Sequence, residues 1–198
     1  MSCQTSRARL RTQDLTYIAL FAVLIAVCAW ISIPAPVPFS LQTFAVFFAL
    51  LALGGRRGTL SIATYLLMGV VGLPVFTGFR GGLGVLLGAT GGYILGFLMA
   101  ALAYRIVTHF TGPSLPGQII ACLLGELCCY AFGTAWFLVV YARSSGPIGL
   151  GTALGMCVVP FLIPDAVKLA LAVRMAAQES SNTTVSSLLP RRRFMAYS

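Results

Sequence analysis

Between Leu15 and Gly55 the chain runs 41 positions without a charged residue. A bilayer core of about 30 Å takes a helix of about 20 residues, so the run is too long for one crossing and about right for two. Pro34, Pro36 and Pro38 break it in the middle, where an interior helix would lose backbone donors. Composition agrees over the whole chain: 59% of the 198 residues are hydrophobic and 9% are charged. A soluble domain carries roughly 25% charge. This chain therefore lacks the polar residues to cover a water-facing surface. A soluble enzyme, a disordered protein and a nucleic-acid-binding domain are excluded, and a polytopic membrane protein remains.

The apolar runs predict an all-α integral membrane protein with six transmembrane helices. The spans are expected at Leu15–Ile33, Ser40–Leu53, Thr59–Leu73, Leu83–Tyr104, Gln118–Tyr141 and Leu150–Arg174, the last interrupted by Pro160 and Pro164. Span two is short, so the proline-rich stretch before it is expected to dip into the protein, where covered non-helical backbone is tolerated. Six spans put both termini on one side. With that side inside, Arg7, Arg9, Arg11, Arg56, Arg57, Arg105, Arg174, Arg191, Arg192 and Arg193 are cytoplasmic, against Arg80 and Arg143 outside. Basic loops favour the cytoplasm, so both termini are expected there and the protein in the cytoplasmic (inner) membrane. A cleaved signal peptide is a poor alternative because the first apolar run is too long. Residues 1–13 and 178–198 read as cytoplasmic tails, the second expected to be disordered, flanking a transmembrane domain at 14–177.

Thirteen Lys and Arg stand against four Asp and Glu, a net charge of +9. The basic residues cluster at the ends of apolar stretches, which suits topology signals and anionic headgroups of the lipid bilayer. No basic stripe is interleaved with stacking aromatics, so nucleic acid is not an expected partner. Of the six cysteines, Cys28, Cys122, Cys128, Cys129 and Cys157 lie in apolar segments without C-x-x-C spacing, and read as small hydrophobes. With His109 the only histidine, neither a metal site nor a cofactor is expected.

A charged group at bilayer depth usually faces a cavity or a partner. Asp165 and Lys168, three apart in span six, share a helix face. Pro164 releases a carbonyl and bends the helix beside them. They make either the polar floor of a cavity or an ion pair locking two helices. Glu126 in span five either pairs with Lys168 or stands neutral in an apolar setting. Glycines at 78, 81, 82, 84, 88, 91, 92 and 96 surround Arg80 and enter span four. No Walker lysine follows them, since Lys168 is the only lysine. Glycines let helices or a ligand approach backbone closely. Arg80 is either a carboxylate clamp or an exposed loop charge. Ala22 and Ala26 form a small-x-x-x-small pair suited to helix contact, within the protein or with another subunit. No nucleophile, base and orienting group come together, so no catalytic set emerges. The pattern is that of a small-molecule binder or transporter.

Pro38-Phe39-Ser40-Leu41-Gln42-Thr43-Phe44, Tyr65-Leu66-Leu67-Met68-Gly69, Gly72-Leu73-Pro74-Val75-Phe76 and Gly88-Ala89-Thr90-Gly91-Gly92-Tyr93 occur in an order that resembles the BioY family. These are the biotin-binding substrate (S) components of energy-coupling factor (ECF) transporters. The resemblance is strong over residues 15–100; beyond them it rests on span count and on Asp165 with Lys168. It implies a six-helix S-component fold and capture of biotin from outside. It also implies a transmembrane scaffold subunit with a pair of ATPases as partners, although some family members work without dedicated ones. The first helix is the family's expected scaffold contact, and Ala22 and Ala26 occupy such positions.

Biotin carries a ureido ring, a thioether ring and a valerate carboxylate. The resemblance implies that Asp165 accepts from a ureido N–H and that Lys168 donates to the ureido oxygen or steadies Asp165. Tyr93 would supply a ring face and hydroxyl, Phe39, Phe76 and Phe79 apolar walls, and Gln42 a ligand bond or a loop fastening. Arg80 would hold the carboxylate, a role inferred from its charge and position. The chain departs from the family at Ala89, where Pro is common, and at Ser40, where Thr is. Competing readings are an S component for another carboxylated vitamin, an intramembrane enzyme and a structural subunit.

Overall fold

The computed structural model describes residues 11–33, 39–112, 114–146 and 148–188. The prolines at 34–38, most of the N-terminal tail and residues 189–198, with Arg191 to Arg193, lie outside the described residues. Helix α1 spans Thr12–Trp30. Asp14 sits in its first turn, accepting from the Arg11 backbone N–H at 2.9 Å and from the Arg57 guanidinium at 2.8 Å. A carboxylate there suits the positive end of the helix dipole. A two-stranded antiparallel ribbon, β1 (Ser32–Ile33) and β2 (Phe39–Ser40), follows. The wholly helical expectation missed it because two-residue strands leave no periodicity to read.

Helix α2, Gln42–Val70, contains two limbs joined at Gly54, whose φ of 75° and ψ of 171° break the helix. Gly58 lies so close to Ala49 and Leu50 that a Cβ would stand 2.9 Å from the Ala49 carbonyl oxygen. Residues nine apart on a straight helix are about 13 Å apart along its axis. The chain has therefore folded back, and the first limb runs antiparallel to the second. At their far ends Gln42 Nε2 donates to the Tyr65 hydroxyl at 3.0 Å. The expected second and third spans are these two limbs.

The fourth expected span is broken. Helix α3 covers only Leu83–Leu86, and α4 runs Gly91–Thr111. Between them Gly91 presses on the Leu86 backbone so closely that no Cβ fits, and Trp136 donates its indole N–H to the Gly88 carbonyl at 3.0 Å. Helix α5 spans Leu115–Ser145. It packs on α4 through small residues from both sides: Gly92 on Trp136, Gly96 on Cys129, Gly125 on Ala100 and Gly133 on Tyr93. The stripe Gly92 and Gly96 is thus helix packing. Helices α6 (Leu150–Cys157) and α7 (Val159–Leu188) meet at Val158, a break two residues before Pro160. Pro160 stands in the first turn of α7, where a missing N–H costs nothing, and Pro164 lies inside the helix. The helix continues past the tail boundary expected at Gln178.

Five helices are long and apolar enough to cross a membrane. Their outward faces carry Leu20, Val23, Leu127, Ile163 and Leu171, all exposed. Apolar surface on that scale belongs in lipid. The core packs the α2 hairpin against α1, α4 and α7, with Ile25, Leu50, Ile62, Tyr65 and Tyr104 fully buried. Ala22 and Ala26 lie in it, 0% and 3% exposed. This corrects the expectation that they present a partner surface: the pair lets α1 approach the hairpin, and the outward face carries Ala19, Val23 and Val27 instead.

Candidate functional site

Residues 71–82 form a loop at the end of the bundle that also holds the ribbon. Its shape is set by backbone bonds: Phe76 donates to the Arg80 carbonyl at 2.9 Å, and Gly82 to Gly69 at 2.7 Å. The Trp30 indole N–H ties the loop to α1 through the Pro74 carbonyl at 2.8 Å. Beneath the loop lies a cavity open at its mouth, walled by α2, α4, α5, α7 and the ribbon.

Its floor is ionic. Lys168 Nζ donates to Asp165 Oδ1 at 2.8 Å, and both residues are 5% exposed. The Tyr130 hydroxyl donates to Asp165 Oδ2 at 2.6 Å. Lys168 Nζ also lies 4.2 Å from the centre of the Phe39 ring, and a cation over an aromatic face is held by the ring's quadrupole. Phe39 stacks on Phe161, centroids 5.9 Å apart. An ion pair so far from water is held by geometry, because losing one partner leaves the other uncompensated.

The walls are aromatic with a few hydroxyls. Tyr93 shares a 3.0 Å hydrogen bond with Thr134 and rests its ring on Gly133. Phe76, fully buried, lies on Gly69 and meets Tyr65 edge-on at 5.6 Å. Gln42, Thr43, Ser40, Ile94 and Phe97 complete the lining, with Cys129 and Cys157. Arg80 stands at the mouth, exposed, with Nε donating to the Thr77 carbonyl at 3.3 Å.

Asp165, Lys168, Tyr93, Arg80, Gln42 and Phe76 therefore share one cavity, and Phe39 reaches its floor through Lys168. Phe79 does not. It is 64% exposed and stacks on Trp30 at 4.9 Å, outside the lining. Its φ of 55° turns it away from the neighbouring Phe76, a local conformation that motif spacing does not reveal. Glu126, Tyr130 and Phe161 also line the cavity. Of these three, the sequence singles out Glu126 but not Tyr130 or Phe161. The signal for Tyr130 was its spacing, four residues after Glu126 on one helix face. His109 lies in the last turn of α4, its ring against Phe110. Among the described residues no group of three metal-ligating side chains occurs.

The arrangement combines a polar floor of one acid and one base, an apolar aromatic middle and a cationic rim inside an apolar bundle. The class this defines is a multi-pass membrane protein with a cavity of mixed polar and apolar lining. Residues 4–183 match the BioY family. The chain is 40% identical to the biotin transporter BioY of Thermotoga maritima, covering 79% of this chain and 89% of that one. It is 38% identical to the probable biotin transporter BioY of Pyrococcus horikoshii, over 88% of this chain and 100% of the relative. The fold is similar to a crystal structure described as the S-component for biotin from an ECF-type ABC transporter. That likeness has a TM-score of 0.73 and 29% identity, covering 85% of this chain and 91% of the other. The chain belongs to the BioY family.

Proposed function

We propose that this protein captures biotin and serves its uptake across the cytoplasmic membrane as a transporter S component. The observation that carries the reading is the buried Asp165–Lys168 floor beneath an aromatic cavity with Arg80 at its mouth. Asp165 accepts from a ureido N–H, and Lys168 donates to the ureido oxygen. Tyr93, Phe76 and Phe161 enclose the thioether ring and chain, and Phe39 covers the floor. Gln42, tied to Tyr65, holds the wall beside them. Arg80 pairs with the valerate carboxylate, using the two-pronged geometry that suits guanidinium and carboxylate.

The six helical limbs cross the membrane with both termini in the cytoplasm, which places Arg80 and the cavity mouth outside. A scaffold subunit and a pair of ATPases supply the energy. The scaffold would meet α1 on its outward face, at Ala19, Val23 and Val27. The test is equilibrium binding of biotin to detergent-purified protein, with pantothenate and riboflavin as competitors. Tight biotin binding indifferent to both is expected. Folded protein that ignores biotin but takes another carboxylated vitamin would overturn the substrate.

A further inference from the structure

Helices α5 and α7 do not close fully on each other. Beside the central cavity lies a second, open groove, lined by Phe47, Leu127, Leu162 and Leu169 among others. Glu126, Tyr130 and Asp165 line both spaces. The Tyr130–Asp165 hydrogen bond therefore stands in the wall between cavity and groove, with one partner on each helix.

That bond also decides what Asp165 offers. An aspartate carboxylate rotates broadly about its last torsion. Here one oxygen is held by Lys168 from its own helix and the other by Tyr130 from α5, at 2.8 and 2.6 Å. Each carboxylate oxygen accepts about two hydrogen bonds, so each retains capacity for a ligand. Tyr130 has a single O–H, donated to Asp165, and the same hydroxyl is also within hydrogen-bonding reach of Glu126. Two acceptors beside one ammonium suit a head group whose N–H donors flank a carbonyl.

We infer that Tyr130 is a positioning residue for biotin: it aims the Asp165 carboxylate from across the α5–α7 seam and thereby selects the ureido group. This rests on the reading of the site as a biotin site. It differs from a wall contact, because removing the hydroxyl disturbs Asp165 and, through it, Lys168.

Lys168 is the only lysine in the chain. A lysine ε-13C label therefore gives one side-chain NMR signal from the full-length protein in detergent, with no assignment needed. The experiment compares wild type, Tyr130→Phe and Tyr130→His for biotin Kd and for that signal. In Tyr130→Phe the Kd is expected to rise roughly ten- to a hundredfold, the weight of one hydrogen bond to a charged group. The Lys168 signal is expected to shift before biotin is added. Tyr130→His, which restores an N–H donor, is expected to recover part of the affinity. Unchanged affinity in Tyr130→Phe overturns the proposal. So does weaker binding with the Lys168 signal unmoved, or equal weakness of the two variants. Should Tyr130→Phe not fold, Tyr130→His decides: affinity within about tenfold of wild type upholds the donor role, and a larger loss overturns it. Wild-type protein that takes no biotin overturns the substrate reading and this inference together. Wild-type binding with an indifferent Tyr130→Phe overturns the inference alone.

Discussion

On the proposed reading Asp165 serves the fold and the ligand at once, and a pair of substitutions separates the two. Asp165→Asn keeps the shape but removes the charge facing Lys168, 2.8 Å away in a buried site. Biotin binding is expected to weaken at least about tenfold, since a charge-assisted bond of roughly 1.5–3 kcal/mol is lost. The unfolding midpoint is expected to fall as well, because Lys168 is left uncompensated. Adding Lys168→Met removes the stranded charge. The double variant should regain stability and remain unable to bind, as thermal denaturation and calorimetry would check. If stability and binding returned together, the pair would only neutralise charge within α7 and have no hand in recognition. Asp165 and Lys168 were legible in the sequence because charge is rare in these spans. Tyr130 was only faintly so: its spacing from Glu126 places it on the same face, but its partner Asp165 lies on another helix.

At the scale of elements, α1 is the clearest correction. Its alanines occur on two faces, and the spacing of Ala22 and Ala26 does not say which face turns inward. Packing decides it: Ala22 has 0% exposure and Val23 has 49%. Ala22→Trp is therefore expected to overpack the α1–α2 contact and reduce the yield of folded protein. Val23→Trp, on the lipid-facing side, should fold and bind biotin normally but impair uptake wherever a scaffold docks on α1. Uptake by Val23→Trp at the wild-type rate in cells supplying the partners would show that this face is free. The α2 turn was placed closely, since two glycines and two arginines end an apolar run at Gly54. The α3–α4 break and the ribbon were less legible: a glycine-rich helix start and two-residue strands are settled by distant neighbours, Trp136 among them.

For the molecule as a whole, the asymmetry of charge is the main guide to orientation. Arg56 and Arg57 mark the α2 turn, and Arg105 packs against Gly55 at the same end. Arg80 lies at the cavity mouth. A reporter active only in the cytoplasm, fused after Ser198, is expected to be active, and one placed in the loop around Phe79 to be silent. The reverse pattern would turn the mouth to the cytoplasm and remove capture from outside.

Two indole groups grip the segment that roofs the cavity. Trp30 holds Pro74 from α1, and Trp136 holds Gly88 from α5. They are the only tryptophans in the chain. Each thus sits at one shoulder of the mouth, and the protein carries its own optical probe of that region. Biotin neither absorbs nor emits in the indole band. A change in intrinsic emission on titration would report movement of the shoulders, and single Trp→Phe variants would assign it to one side. Unlabelled protein then suffices to follow such a change in real time by stopped flow.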